Sequence, residues 1–353
     1  MRKGLWLIGA PFALATITLI LVLTGCQSQQ GQNWKPARRN IVVYSFSVEE
    51  EVMTKEIFPA FKAYWQRKTG EDVLFRSVFT GSEEIAGAIL GGAAADIAIL
   101  SNEQHAVWLY INDYVQTDWH DFPNQGVISR SPLVIVVRPG NPLGIKDWAD
   151  LTRPGVRLVH ANPRSSGGAQ WALLAEYGSA LEAGGEREAA EKQLRDIWAN
   201  VNSSPPSSRE ALRQFLFGVG DALVTYEQDA LLAHSRGGSI EIITPRSTTM
   251  SEHVVVIVDR NVSRGEQELM NAFVAFLWSE TAQEAFGRFY FRPVSDEALD
   301  SMRELGVSDF PEVERAFTVQ DLGGWREVYP EIIQGVWEEQ IAPHMNSILT
   351  GDN

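Results

Sequence analysis

From residue 41 to residue 258 the chain alternates short branched-apolar runs with segments of helical period, and few folds accommodate that order. Residues 41–44, 73–78, 96–100, 133–137, 156–159, 222–226, 240–243 and 254–258 read as strands. Residues 50–65, 85–90, 169–178, 185–199, 208–217 and 265–287 read as helices. Pro59 predicts a kink in the first helix and Thr69-Gly70 its end. The alternation predicts an α/β fold of mainly parallel sheets flanked by helices. Two long segments, near 128–137 and 241–258, can cross between two lobes. The expected organisation is a discontinuous first lobe (40–130 and 247–350) around a second (131–246).

The N-terminus fixes the expected compartment. Arg2 and Lys3 precede an uncharged apolar run from 5 to 23, closed by Leu23-Thr24-Gly25-Cys26 at the only cysteine in the chain. That pattern resembles a bacterial lipoprotein signal, in which residues 1–26 carry the leader and its processing site and Cys26 takes the lipid. An uncleaved membrane helix is the alternative, and Pro11 and the position of Cys26 weigh against it. Residues 27–39, which open on Gln-Ser-Gln-Gln-Gly-Gln-Asn, read as a flexible tether. With one cysteine, no intrachain disulfide can form.

The formal net charge is −15 and becomes −17 without Arg2 and Lys3. An acidic chain with no basic patch argues against nucleic acid as a partner. It does not exclude a small anion, because helix termini act within a turn or so while distant charge is screened.

One turn carries most of the functional information. Asn162-Pro163-Arg164-Ser165-Ser166-Gly167-Gly168-Ala169-Gln170-Trp171 follows a strand and opens a helix. Free backbone N–H groups at a helix start, with no side chains in front of them, make an anion site. Taken alone, the turn reads first as a serine cap with glycines for a tight bend. Three further junctions repeat the chemistry: Ser45-Phe46-Ser47, Thr80-Gly81-Ser82, and Ser203 to Ser208 ahead of Leu212 and Phe215. All lie at carboxyl ends of strands, where open α/β sheets bind ligands.

The chain also resembles the sulfate-binding receptors of bacterial ABC importers, which have the two-lobed type II periplasmic-binding-protein fold with a ligand cleft between lobes. The matching residues are Thr80-Gly81-Ser82, Ala95-Asp96-Ile97, Val137-Arg138-Pro139-Gly140-Asn141-Pro142, Asp147-Trp148-Ala149-Asp150-Leu151, Pro154-Gly155-Val156 and the 162–171 turn. They continue through 218–227, Tyr290-Phe291-Arg292-Pro293 and Leu322-Gly323-Gly324-Trp325. The resemblance implies a non-enzymatic, monomeric receptor that needs no cofactor or metal. Its implied partners are a small oxyanion and permease and ATPase subunits, and lipid on Cys26 would hold it at the membrane outside the cytoplasm. Carried over by position, Ser166, Gly167 and Gly168 would supply N–H donors. Ser82 would supply a hydroxyl, and Ser47 and Ser208 would mark one N–H each. Tyr226 stands where the family has an indole.

Sulfate is a dianion that only accepts hydrogen bonds, so a donor-only site suits it. Two departures keep other oxyanions open. Tyr226 can accept as well as donate, and the resemblance to related receptors with tyrosine at a similar place implies a larger oxyanion such as molybdate or tungstate. Glu83 and Glu84 stand where the family has glycine and lysine, and the dipole favours turning them to solvent. A carboxylate in the cleft, Glu227 included, would instead accept a proton from phosphate. The six histidines lack metal-ligand spacing, and Asp96 and Asp221 read as turn holders. The aromatics from Phe273 to Tyr290 read as core. An envelope enzyme acting on sulfate or phosphate esters lacks a visible nucleophile or metal set. A sensory lipoprotein would use the same fold without transport.

Overall fold

A computed structural model describes residues 38–345 except 295, 305 and 307–309. The signal, Cys26 and nearly all of the tether lie outside the described residues. The strands are β1 (Arg38–Phe46), β2 (Asp72–Thr80), β3 (Ile97–Leu100), β4 (Val127–Val137), β5 (Leu158–His160), β6 (Val201–Ser203), β7 (Ala222–Tyr226), β8 (Glu241–Ile243), β9 (Ser247–Ile257) and β10 (Arg315–Phe317). Their order is β2-β1-β3-β9-β4-β7-β5-β6, with β8 on β4 and β10 on β9.

Two parallel trios, β2-β1-β3 and β7-β5-β6, flank the long antiparallel pair β4 and β9. Strand β4 pairs with β9 as far as Pro132, then with β7 and β8 from Leu133 onward. Proline has no N–H to give a ladder, and it stands where β4 exchanges partners. The 128–137 crossover is therefore a single continuous strand. The 241–258 segment divides into β8 and β9, because Thr244-Pro245 interrupts it.

Both faces of the second trio are covered. Leu133, Ile135 and Val137 of β4 pack into the larger core, while Val134 and Val136 face a smaller one with Val159, Leu223 and Phe215. That alternation is the period-2 consequence of the pleat. Tyr226, two residues on from Val224, falls on the larger-core side at the end of β7.

The helices differ from the sequence expectation at their breaks. The first begins as Glu50–Val52, widens to a π turn at Met53–Ile57, and continues as Phe58–Thr69 to Gly70 at φ 77°. Pro59 cannot donate to the preceding turn, and the wider turn lies just before it. The expected 265–287 helix is two, Gln267–Phe276 and Glu280–Arg288, because Ser279 accepts the Ala282 N–H and starts the second. Phe273 and Phe286 are fully buried and Phe276 nearly so. No helix among the described residues is long and apolar enough to cross a membrane.

Candidate ligand-binding site

The turn after β5 is built from its carbonyls outward. Ser165 and Ser166 donate their N–H groups to the Asn162 carbonyl, and Asn162 donates to Pro205. Ser166 then caps the Gly167–Glu182 helix, its Oγ accepting from Ala169 N at 3.3 Å. Its own N–H is already used, which corrects the expectation that Ser166 offers a backbone donor. Its hydroxyl lies 3.5 Å from that of Ser208. Gly167 and Gly168 follow as the first two helical residues, whose N–H groups precede any intrahelical acceptor.

Both glycines are required by what approaches them. A Cβ on Gly167 would stand 2.0 Å from Ser101 Oγ and 3.1 Å from Ser82 Cβ. A Cβ on Gly168 would stand 2.5 Å from Ser208 Oγ and 2.7 Å from Tyr226 OH. The ends of β2, β3, β6 and β7 thus converge on one bare helix terminus. Of the residues expected from sequence, Ser82, Ser166, Gly167, Gly168, Ser208 and Tyr226 come together and are buried. Ser47 is half-buried, and its turn abuts through Val48, whose carbonyl accepts from Arg209 Nη2 at 2.9 Å. Arg209 is otherwise engaged by Asp229 at 2.8 Å.

The Ser82–Leu90 helix meets the same turn from the other side. Glu83 and Glu84 donate their N–H groups to the Ser165 carbonyl at 3.1 and 3.5 Å. This close approach excludes any side chain on Gly81, whose Cβ would lie 2.1 Å from the Ser165 oxygen. Ser82 Oγ accepts from Ser101 N at 3.0 Å and pairs with His105 Nδ1 at 2.8 Å. Gln170 is fully buried and spans the junction. Its Oε1 accepts from Asn102 Nδ2 at 2.8 Å, while its Nε2 donates to Pro163 O and to the Glu83 carboxylate. Glu83 is therefore turned inward and only 22% exposed, against the expectation that it faces solvent; Glu84 is exposed and held by Thr80. Glu227 is buried in a two-point ion pair with Arg292, at 2.7 and 2.9 Å. Burial raises its carboxyl and Arg292 opposes the shift, so it serves packing rather than the turn cluster.

Away from the Glu83 carboxylate, the buried titratable groups beside the cluster are neutral. Burial lifts Glu49, in the Ser47–Glu49 turn, to about 8, against hydrogen bonding with Ser45 and Ser129. Burial depresses His253 to about 3 and raises Tyr226 well above the usual phenol range. At neutral pH these groups are mainly a carboxylic acid, a neutral imidazole and a phenol. The hydroxyls of Ser101 and Tyr226 are buried neighbours: Ser101 lies close enough to lower the Tyr226 pKa against burial, yet neither hydroxyl meets a partner at full hydrogen-bond geometry among the described residues.

Ser101, Asn102 and His105 escape the sequence reading, although the signal was present. Strand β3 runs into Ser101-Asn102, and Asn102 caps the Glu103–Ile111 helix by accepting from His105 N. It is a fifth hydroxyl-bearing strand-to-helix junction. Several other matched segments are structural. Arg138 donates to the carbonyls of Phe215, Val219 and Gly220; Asp96 accepts from Val42 N of β1 and Asp221 from Arg157, so each ties neighbouring chain segments together rather than the turn expected of it. Trp325 packs edge-on against Trp171 at 4.9 Å. Among the described residues no group of three or more His, Cys, Asp or Glu could hold a metal ion.

Two observations outside the geometry decide the kinship. The sequence profile of the family described as Bacterial extracellular solute-binding protein matches residues 51–292. The chain belongs to that family. It is 35% identical over 336 residues to the Sulfate-binding protein of Synechococcus elongatus, covering 93% of this chain and 94% of the relative. It is 30% identical over 298 residues to the Thiosulfate-binding protein of Pseudomonas aeruginosa, covering 82% and 89%. Among solved structures, the sulfate-binding protein SubI from Mycobacterium tuberculosis H37Rv superposes with a TM-score of 0.75 at 30% identity, covering 83% of this chain and 99% of SubI. The fold is the type II periplasmic-binding-protein fold expected from the sequence.

Proposed function

We propose that the chain is the lipid-anchored extracytoplasmic receptor of an ABC importer and that it binds sulfate or thiosulfate. The observation that carries this reading is the pair of buried neighbouring hydroxyls, Ser101 and Tyr226, neither satisfied at hydrogen-bond geometry among the described residues, set against the bare N-terminal residues Gly167 and Gly168. An unpaired buried polar group costs about 1–3 kcal/mol, and an anion oxygen between these groups removes that cost. The donors are the N–H groups of Gly167 and Gly168, one each at the Ser208 and Ser47 helix starts, and the hydroxyls of Ser82, Ser101, Ser166 and Tyr226. All are neutral, so a dianion is held by oriented dipoles rather than counter-charges. The relatives named as sulfate- and thiosulfate-binding proteins support the same ligand.

Residues 40–130 with 247–350 form one lobe in this reading and 131–246 the other, with hinge closure on the ligand through β4 and β9. The chain acts as a monomer, docks on permease and ATPase subunits, and catalyses nothing. Cys26→Ser is expected to release the protein from membranes in fractionation; retention of the variant at wild-type levels would refute the anchor. Molybdate or tungstate is the second ligand reading, favoured by Tyr226 at the indole position. Calorimetric titration at fixed ionic strength with sulfate, thiosulfate, molybdate and phosphate tests the assignment. Heat from sulfate or thiosulfate first is expected; silence toward all four defeats it.

A further inference from the structure

Ser82 Oγ has one proton and two lone pairs to distribute. One lone pair is committed, because Ser101 N donates to it at 3.0 Å. What is left is shared between His105 Nδ1 at 2.8 Å and the proposed anion site at the Gly167 helix start, beside which Ser82 Cβ and Ser101 Oγ stand. If Nδ1 carries a proton, it takes the second lone pair and the Ser82 O–H points to the ligand. If Nδ1 is bare, Ser82 gives its proton to the imidazole and offers the ligand a lone pair. The hand that Ser82 presents, donor or acceptor, is thus set one residue away.

We infer that His105 is the positioning residue that makes Ser82 a hydrogen-bond donor, and that it thereby selects a fully deprotonated oxyanion over one that still carries a proton. The inference deepens the proposed function and rests on it. Sulfate accepts at every oxygen, whereas phosphate near neutral pH holds a proton that needs an acceptor. With Nδ1–H in place, Ser82 cannot supply one. The rest of the imidazole environment permits this state. The ring is fully buried against Trp108, centroids 5.0 Å apart, and His105 N is fixed on Asn102 Oδ1. Nε2 has no hydrogen-bond partner, and its nearest charged atom is Glu83 Oε2 at 3.8 Å. That carboxylate is held by Gln170 and, facing Nε2, favours a proton there, so Nδ1–H beside it makes the ring an imidazolium whose charge Glu83 balances. Tyr329 and Glu338 lie beyond Glu83, and its charge contributes to raising both of their pKa values.

The test uses the full chain, with imidazole nitrogens labelled by 15N-histidine, saturated with sodium sulfate. Long-range 1H–15N correlation is expected to show His105 Nδ1 protonated in the sulfate-loaded protein. A bare, pyridine-type Nδ1 with sulfate bound overturns the inference and leaves the function standing. In parallel, the ratio of sulfate to phosphate affinity is measured calorimetrically in the wild type, His105→Asn and His105→Leu. The asparagine can keep an N–H near the Nδ1 position and is expected to keep the ratio. The leucine frees a Ser82 lone pair and is expected to lower the ratio about tenfold, the size of one mismatched hydrogen bond. An unchanged ratio in a folded His105→Leu protein also overturns it. If the leucine variant fails to fold, the nitrogen spectrum of the wild type decides alone. A wild type that binds no sulfate refutes the functional reading, and this inference with it.

Discussion

Glu49 and His253 are joined through one buried hydroxyl: Ser129 Oγ lies 3.3 Å from Glu49 Oε1 and 2.8 Å from His253 Nδ1. Counting protons along the chain assigns each one. Ser251 gives its proton to the Ser131 carbonyl, so His253 Nε2, 3.2 Å away, must donate to Ser251. In a neutral imidazole Nδ1 is then an acceptor and takes the Ser129 proton. The proton between Ser129 and Glu49 therefore belongs to the carboxyl. This count agrees with a Glu49 lifted to about 8 and a His253 depressed to about 3.

A pH dependence of stability follows, with opposite signs at its two ends. Glu49 rises from 4.5 to about 8 on folding, so its contribution is complete below 4.5 and is lost as pH climbs toward 8. His253 falls from 6.5 to about 3, so its contribution is complete above 6.5 and is lost as pH drops toward 3. Between 4.5 and 6.5 the slopes oppose each other, and from 6.5 to 8 Glu49 acts alone. Its limiting slope is about tenfold in the unfolding equilibrium per pH unit. Urea unfolding at several pH values in that upper window should show wild-type stability falling relative to Glu49→Gln. Parallel curves for the two proteins would count against a protonated Glu49.

Gly168→Ala should separate a ligand effect from a packing effect. Its new methyl would meet Ser208 Oγ at 2.5 Å and the Tyr226 ring at 2.7 Å, both buried. Overpacking of this kind costs about 1–3 kcal/mol. Gly178→Ala is the control, because its methyl would meet the Phe317 ring at 2.4 Å in the same helix, away from the turn cluster. Both variants should lose comparable stability in chemical unfolding. Only Gly168→Ala should lose sulfate binding, by about a hundredfold or more if two donors are displaced. Equal sulfate affinity in the two variants would remove Gly168 from the site.

The strand-helix order and the glycine turn were legible because they are local. Ser166, Gly167 and Gly168 announce a capped, side-chain-free helix start in three consecutive letters. Ser82, Ser208 and Tyr226 were placed by position in a resemblance, and the close approach of all three to one turn depends on strand order, which no local pattern encodes. Ser101 and His105 were missed for a related reason. Their significance arises from the Ser82 hydroxyl, some twenty residues earlier in the chain. Glu83 was misjudged because the dipole argument considers only its own helix. Its neighbour Gln170 is 87 residues away and draws the carboxylate inward. The break at Ser279 is a local cap that the apolar periodicity on either side concealed.

Tyr226→Phe and Ser101→Ala make the sharpest test of the two unpartnered hydroxyls. Removing a hydrogen-bonded buried hydroxyl ordinarily destabilises a protein by about 1 kcal/mol. Removing one that has no partner relieves a desolvation penalty instead, so the ligand-free variants should be as stable as the wild type or slightly more so. The oxyanion reading demands the opposite in the presence of ligand, since each hydroxyl then meets an anion oxygen. Bonds to charged groups contribute about 1.5–3 kcal/mol, so each variant should lose roughly ten- to a hundredfold in sulfate affinity. Because the two hydroxyls are neighbours, the two losses should overlap rather than add in the double variant. Thermal unfolding with and without sulfate reads both quantities from the same samples. A ligand-free melting temperature that drops in both variants, with the sulfate-induced rise intact, would mean that the hydroxyls serve the fold and that the anion lies elsewhere.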